Sequence, residues 1–417
     1  MKEGSWILLG QIMSVLASLV LVRVLTNYLN VEQYGELALA LTVGTLVSQV
    51  AFSGSMPGIM RYFAIAAEKG DIKEYMRAAD SMMEYGAFAA LALSLLLIFG
   101  MAIYGYSSVL AVTIMSIIFS VLGNFNSKQS MIQNAARQRK VVSLHTSLDA
   151  GLKILFAISF LIWFGGSAKV VIAAYIASVS IVLISQSFFI KRLISIHQSK
   201  KNTTSFWKQE IWKYSKPFIF FNAFTWVQAS SDRWALDIFS TTQDVGFYAV
   251  LLQLGYTPIA ICTGLMATLI GPILFQRSGD TSDPLRNANV HKRAWQITWL
   301  ALVLTAVSSV IAFAFHDFIF NILVSSQYRA VSYLLPFMIL AGGFVSAGQI
   351  LGLKLMSDLN TKALIFPKIA TSLLGAFLSF LGAYLAGIEG VVGGCLIFGV
   401  LQLLWMGWLS RYPMKVC

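Results

Sequence analysis

Unbroken apolar runs of about twenty residues recur from one end of this 417-residue chain to the other. At 1.5 Å per residue such a run makes a helix of roughly 30 Å, the thickness of a bilayer's hydrocarbon core. The runs lack the alternating polarity of barrel strands, and no strand edge can be left open to lipid, so they read as helices. Composition agrees: 57% of residues are hydrophobic and only 12% charged, against about 25% charged in soluble domains. Met1 to Ser5 lead straight into an apolar run too long for a signal-peptide core, with no small-residue cleavage pattern after it. No cleavable leader is therefore expected.

About twelve spans are expected, near residues 5–28, 37–61, 82–104, 108–126, 147–165, 170–190, 215–239, 247–275, 294–316, 331–353, 364–386 and 391–410. The loops between them test that count. With a cytoplasmic amino terminus, twenty-five of the 30 lysines and arginines fall on the cytoplasmic side. Arg23, Lys169, Arg233 and Arg329 fall on the other side, and Lys153 lies within a span. This asymmetry is the positive-inside pattern, and one missed helix would scramble it. It places both termini in the cytoplasm and accounts for the net charge of +12 through topology and anionic lipid rather than nucleic acid.

The chain is also written twice. Gly70-Asp71 is followed by Glu74, Arg77 and Ala79, and Gly279-Asp280 by Asp283, Arg286 and Ala288 at the same spacings. Upstream, Gly35 and Ala38 match Gly246 and Ala249, and Arg23 and Arg233 precede those glycines by nearly equal intervals. A duplication of this order predicts two repeat-related six-helix bundles, residues 1–192 and 214–417, around a central cavity where a membrane protein places a substrate path. Residues 193–213 form the basic cytoplasmic linker between them. Phe206, Trp207, Ile211 and Trp212 give that linker an amphipathic stretch suited to a membrane surface or to docking.

Enzymatic equipment is missing from the sequence. Cys262, Cys395 and Cys417 show neither CxxC nor metal-ligand spacing, so no disulfide and no metal or other cofactor is expected. His145, His197 and His291 fall in expected cytoplasmic loops, with His316 apart from them. There is no phosphate loop for nucleotide hydrolysis. What stands out is charge inside the helices, where it is costly and faces a cavity or a partner. Arg23, Arg61, Lys153 and Arg233 are the candidates for a cationic substrate path. Asp149, Asp232 and Asp237 are the candidates for ion coupling, with Asp149 and Lys153 four residues apart on one helix face. Snorkelling of the arginines to the interface and ion pairs that merely fix packing are the plain alternatives. Prolines such as Pro57, Pro258 and Pro336, and the glycine pairs Gly54/Gly58, Gly348/Gly352 and Gly390/Gly394, suit kinked, closely packed helices.

The run Arg23-Val-Leu-Thr-Asn-Tyr-Leu-Asn-Val-Glu-Gln-Tyr-Gly35 and the loop Gly70-Asp71-x-x-Glu74-x-x-Arg77 resemble signatures of Wzx-type polysaccharide flippases. These belong to the multidrug/oligosaccharidyl-lipid/polysaccharide exporter superfamily. The resemblance implies movement of an undecaprenyl-diphosphate-linked oligosaccharide, an O-antigen or capsule repeat unit, from the cytoplasmic to the periplasmic leaflet of a bacterial inner membrane. It also implies membrane lipids and other polysaccharide-assembly membrane proteins as partners. Of its site residues only Arg23 carries over, as a basic residue of the first helix.

Guanidinium groups match the oxygens of a diphosphate, which fits that implication. Three other readings remain at this stage. A cation-coupled multidrug antiporter of the same superfamily shares the fold but wants an acidic, aromatic cavity. A major-facilitator transporter carries a GxxxDRxGRR-like loop that Glu68 to Asp80 lacks. A polysaccharide polymerase wants long extracytoplasmic loops, and the longest here runs from His316 to Val331.

Overall fold

A computed structural model describes residues 2–105, 107–195, 203–264, 266, 284–357 and 365–411. The second-copy loop Gly279-Asp280, with Pro272, Arg277, Asp283, His197, Lys200, Lys201, Lys362, Lys415 and Cys417, lies outside them. Among the described residues, α-helices run in chain order as α1 (Lys2–Tyr28), α2 (Val31–Val47), α3 (Met56–Glu68), α4 (Ile72–Ile103), α5 (Ser107–Ala135), α6 (Arg139–Phe164), α7 (Ala168–Ser195), α8 (Thr204–Ser215), α9 (Pro217–Phe239), α10 (Thr242–Leu251), α11 (Pro284–Leu323), α12 (Leu335–Ser357) and α13 (Ile365–Arg411), with residues 257–264 also helical. No strand occurs among the described residues. The protein is an all-α polytopic membrane protein.

Among the described residues, ten candidate spans are long and apolar enough to cross a bilayer. Two more complete the expected twelve. The 23-residue α9 carries three charges, Asp232, Arg233 and Asp237, which lower its hydropathy. And α13 is two helices. Its backbone leaves helical geometry at Ala386 and at Gly387, whose φ of 54° suits glycine. Gly382 faces Gly390, Leu378 faces Gly394 and Gly375 faces Phe398. Contacts nested around one turn in this way define an antiparallel hairpin. Large side chains turned outward, such as Phe88, Leu96 and Phe99, are mostly exposed, as a hydrocarbon solvent allows and water would not.

The chain forms two compact units, Met1–Val24 with Glu36–Trp226, and Leu25–Gly35 with Val227–Cys417. In the first, α5, α6 and α7 pack together and α8 lies across α3 and α4. The loop motif explains that docking. Gly70 takes a φ of 72°, open to glycine without strain, and turns the chain so that Asp71 and Glu74 head α4. Thr203 donates to Asp71 at 3.3 Å, Thr204 to Glu74, and Arg77 pairs with Glu74 at 2.6 Å. Trp207 is then buried between Tyr62 and Tyr75. A β-carbon on Gly58 would overlap Ser215, whose hydroxyl instead accepts the Gly58 N–H at 3.1 Å. Thus the apolar side of the linker helix (Trp207, Ile211, Ser215) is spent on its own unit, while Phe206 and Trp212 stay exposed.

In the second unit, residues 25–35 pack on the carboxyl-terminal helices. Tyr328 and Gln327 bond the carbonyl of Leu29 at 3.3 and 2.9 Å, and Tyr34 meets the Tyr328 ring edge-on. Here the repeat becomes physical. Asn30 and Gln33 cap the start of α2 reciprocally, with Gln33 N–H to Asn30 Oδ1 at 2.8 Å and Asn30 N–H to Gln33 Oε1 at 3.3 Å. At α10 the Thr241 hydroxyl accepts the Asp244 N–H at 3.1 Å and donates to Asp244 Oδ2 at 3.0 Å. The first is a capping box and the second a threonine N-cap, each followed two residues later by the repeated glycine. A π turn interrupts the second span of each copy, Ser48–Phe52 and Leu252–Tyr256, a feature common at functional sites.

Of the glycine pairs, Gly54 and Gly58 receive Ile219 and Ser215, and Gly390 and Gly394 receive α13's own first half. Gly348 makes ordinary contact and Gly352 faces open space, so that third pair does not mark a close crossing.

Candidate functional site

Each unit carries a charged cluster built on its helices. In the first unit, α6 places Asp149 and Lys153 one turn apart, and Lys153 Nζ lies 2.7 Å from Asp149 Oδ2. From α7, the Ser178 hydroxyl donates to Asp149, reaching Oδ1 at 3.0 Å and the backbone carbonyl at 3.1 Å. The ammonium sits 5.4 Å from the Phe119 ring of α5 and 6.0 Å from the Tyr175 ring of α7, within cation–π range. Both charged side chains keep about a fifth of their surface open, 24% for Lys153 and 21% for Asp149. The pair is therefore neither sealed in the core nor free in solvent.

In the second unit, α9 supplies Asp232 and Arg233. Asp232 is buried. One of its oxygens accepts the Arg233 N–H at 2.8 Å and lies 3.4 Å from the guanidinium. The other accepts the Tyr248 hydroxyl at 2.6 Å, and that hydroxyl lies 3.3 Å from Cys395 Sγ. The guanidinium also reaches the Ala229 carbonyl one turn back. Asp237 turns away to accept from Thr242 at 2.9 Å, so Arg233 sits beside one of its two flanking carboxylates. One turn before Asp232, Gln228 accepts from Lys368 of α13 at 2.6 Å.

Arg23 is half-buried late in α1, and Arg233 holds the corresponding place late in α9. The two belong to different compact units. Arg61 is exposed on α3. Its neighbour Tyr62 donates to Glu210 at 3.1 Å. Burial, and then that bond, push the Tyr62 phenol above its usual value.

Several partners escaped the sequence reading. Phe119, Tyr175, Ser178, Tyr248 and Cys395 join the clusters from neighbouring helices, and no spacing along one helix reveals them. His145, expected in a loop, lies buried in α6 because that helix begins at Arg139 and outruns the bilayer core. It holds the Val141 carbonyl at 2.8 Å and Ser185 at 3.0 Å. Lys128, expected on the cytoplasmic face, is buried on α5 and pairs with Asp80 of α4.

Solved structures of similar fold are transporters and flippases. The chain aligns with "Lipid II flippase MurJ, inward closed conformation" at a TM-score of 0.73 and 12% identity, covering 99% of this chain and 88% of that one. It aligns with an inward-facing multidrug resistance MATE family transporter of the MOP superfamily at 0.68 and 13%, covering 96% and 94%. A Vibrio cholerae MATE transporter, VcmN, follows at 0.56 and 12%, covering 98% and 97%. At these identities the likeness is one of fold. No curated protein sequence matches. The family model described as polysaccharide biosynthesis protein matches residues 1–277, and the chain belongs to that family.

Proposed function

We propose that this protein is a Wzx-type flippase that carries undecaprenyl-diphosphate-linked oligosaccharide repeat units from the cytoplasmic to the periplasmic leaflet, by alternating access, for surface polysaccharide synthesis. The observation that carries the reading is the match to the polysaccharide biosynthesis family over residues 1–277 in a chain whose fold is shared with a lipid II flippase. The polar head of a lipid-linked sugar cannot cross hydrocarbon unaided, and its tail never needs to leave it. Arg23, Lys153 and Arg233 supply cations on α1, α6 and α9, and Arg61 supplies one from the middle of α3. Asp149, Asp232 and Asp237 are the groups suited to exchange a proton or cation. The protein acts without chemistry of its own, as a multi-pass protein of the bacterial inner membrane with both termini cytoplasmic. Its partners are the lipid-linked substrate, membrane lipids and other membrane proteins of polysaccharide assembly.

Deleting the gene tests this. Lipid-linked repeat units should accumulate on the cytoplasmic leaflet and surface polymer should disappear. Normal polymer with no trapped intermediate contradicts it.

The fold shared with MATE transporters favours one second reading, a cation-coupled multidrug antiporter. Export of a cationic dye by the reconstituted protein, with no effect on lipid-linked sugars, is the result that selects it.

A further inference from the structure

We propose that Lys153 is a diphosphate-binding cation of the first unit and that Asp149 is its resident counter-ion, displaced as the neutral acid, so that binding an anionic head takes up a proton. The inference rests on the flippase reading and names how one of its sites works.

The geometry separates the two oxygens of Asp149. Oδ1 and the backbone carbonyl are held by the Ser178 hydroxyl, while Oδ2 is engaged by Lys153 alone among the described bonds. An anionic head that approaches Lys153 competes for the same ammonium. The partly open side chains let it arrive, and the Phe119 and Tyr175 rings keep the ammonium in place while its counter-ion changes. Asp149 would then be left as a carboxylate facing a polyanion in a poorly hydrated site, which is costly. A proton from water on Oδ2, the oxygen the lysine leaves, removes that cost and leaves the Ser178 bond at Oδ1 intact. Lysine stays an ammonium throughout. One proton is bound, and phosphate oxygens replace one carboxylate oxygen around Nζ.

The surrounding titratable groups are few. Helix α7 contributes Tyr175, and α5 contributes none between Val109 and Ser127. Helix α1, which meets α6 where Gly10 faces Ser143, contributes none between Gly10 and Val22, with Arg23 next along it. On α6 itself His145 lies one turn before Asp149. A carbonyl only accepts, so His145 Nδ1 carries the hydrogen toward Val141, and Nε2 lies 3.0 Å from the Ser185 hydroxyl. Both ring nitrogens of His145 are thus engaged away from the pair, and Asp149 is the group whose partner the ligand removes.

Isothermal titration of the purified full chain with geranyl diphosphate, between pH 6 and 8 in buffers of different ionisation enthalpy, reads affinity and proton uptake together. Asp149→Asn serves as the blank for the ligand's own protonation near pH 6. Relative to that blank, the wild type should take up close to one extra proton per ligand. Its affinity should fall more steeply with rising pH, by up to about tenfold per unit. Lys153→Met should lose at least about tenfold at every pH, and His145→Gln should keep the extra uptake. Infrared difference spectra of the wild type should gain a protonated-carboxyl C=O band on ligand addition, a readout that stands even where the asparagine variant fails to fold.

Binding unchanged in Lys153→Met, equal uptake in wild type and Asp149→Asn, or loss of the extra uptake in His145→Gln overturns the inference. If liposome flipping persists under any of these outcomes, the flippase reading stands without it. If the wild type binds no geranyl diphosphate and takes a cationic dye instead, both fall.

Discussion

Gly35 and Gly246, the repeated glycines of the two sequence copies, meet backbone to backbone within the second compact unit. A β-carbon on Gly35 would overlap the Thr242 carbonyl, and one on Gly246 would overlap the Val31 carbonyl. Each glycine stands in the first turns of its helix, behind an N-cap that fixes where the helix starts. The near-symmetry of the two obstructions is what a duplicated crossing demands. Backbone is the obstacle at both, so no side chain can give way. Gly35→Val and Gly246→Val should each reduce surface polymer at least tenfold in a complementation assay, with the protein still inserted in the membrane. Full complementation by both variants would show that the crossing tolerates separation.

The docking of α8 is held by burial and by buried acceptors. Trp207→Ala removes a side chain that is 1% exposed and should cost about 3–5 kcal/mol. Glu74→Ala leaves Arg77 and Thr204 without their acceptor and should cost about 1–3 kcal/mol. Thermal unfolding in detergent measures both. Unchanged midpoints would mean that α8 leaves the unit in solution.

Arg23→Ala and Arg233→Ala should each abolish surface polysaccharide, with lysine rescuing only in part because it loses the planar fork. The two differ in one respect. Removing Arg233 strands a buried carboxylate at Asp232, which destabilises apart from any effect on transport. Asp232→Asn/Arg233→Ala should therefore recover protein level without recovering polymer. Normal polymer in that double variant and in Arg23→Ala would reduce both arginines to interfacial anchors.

Orientation follows from basic loop density. A cysteine at Ser205, exposed on α8, should resist membrane-impermeant thiol reagents in intact cells, and one at Tyr104, exposed at the end of α4, should react. The reverse pattern inverts the topology.

The helical class, the number of spans and the duplication were all legible in the sequence, because a bilayer leaves few ways to satisfy a backbone and the repeat lies in polar loop residues. Asp149 with Lys153 was legible for the same reason: a spacing of four fixes one helix face. What surrounds them was not. Ser178, Phe119 and Tyr175 reach the pair across helices, and cross-helix register is set by packing that no local pattern encodes. The capping residues Asn30, Gln33, Thr241 and Asp244 were within reach, since they sit at fixed distances before the repeated glycines. His145 and Lys128 were expected between spans and lie on helices, because α5 and α6 run beyond the hydrophobic segments that marked them.

The most direct test of the central claim is reconstitution of the full chain in liposomes with a labelled undecaprenyl-diphosphate oligosaccharide, following its accessibility to an external glycosidase. Proteoliposomes should expose substrate from the inner leaflet faster than empty liposomes, with Arg23→Ala close to the empty control. Accessibility indistinguishable from empty liposomes, with and without an imposed ion gradient, would contradict the account.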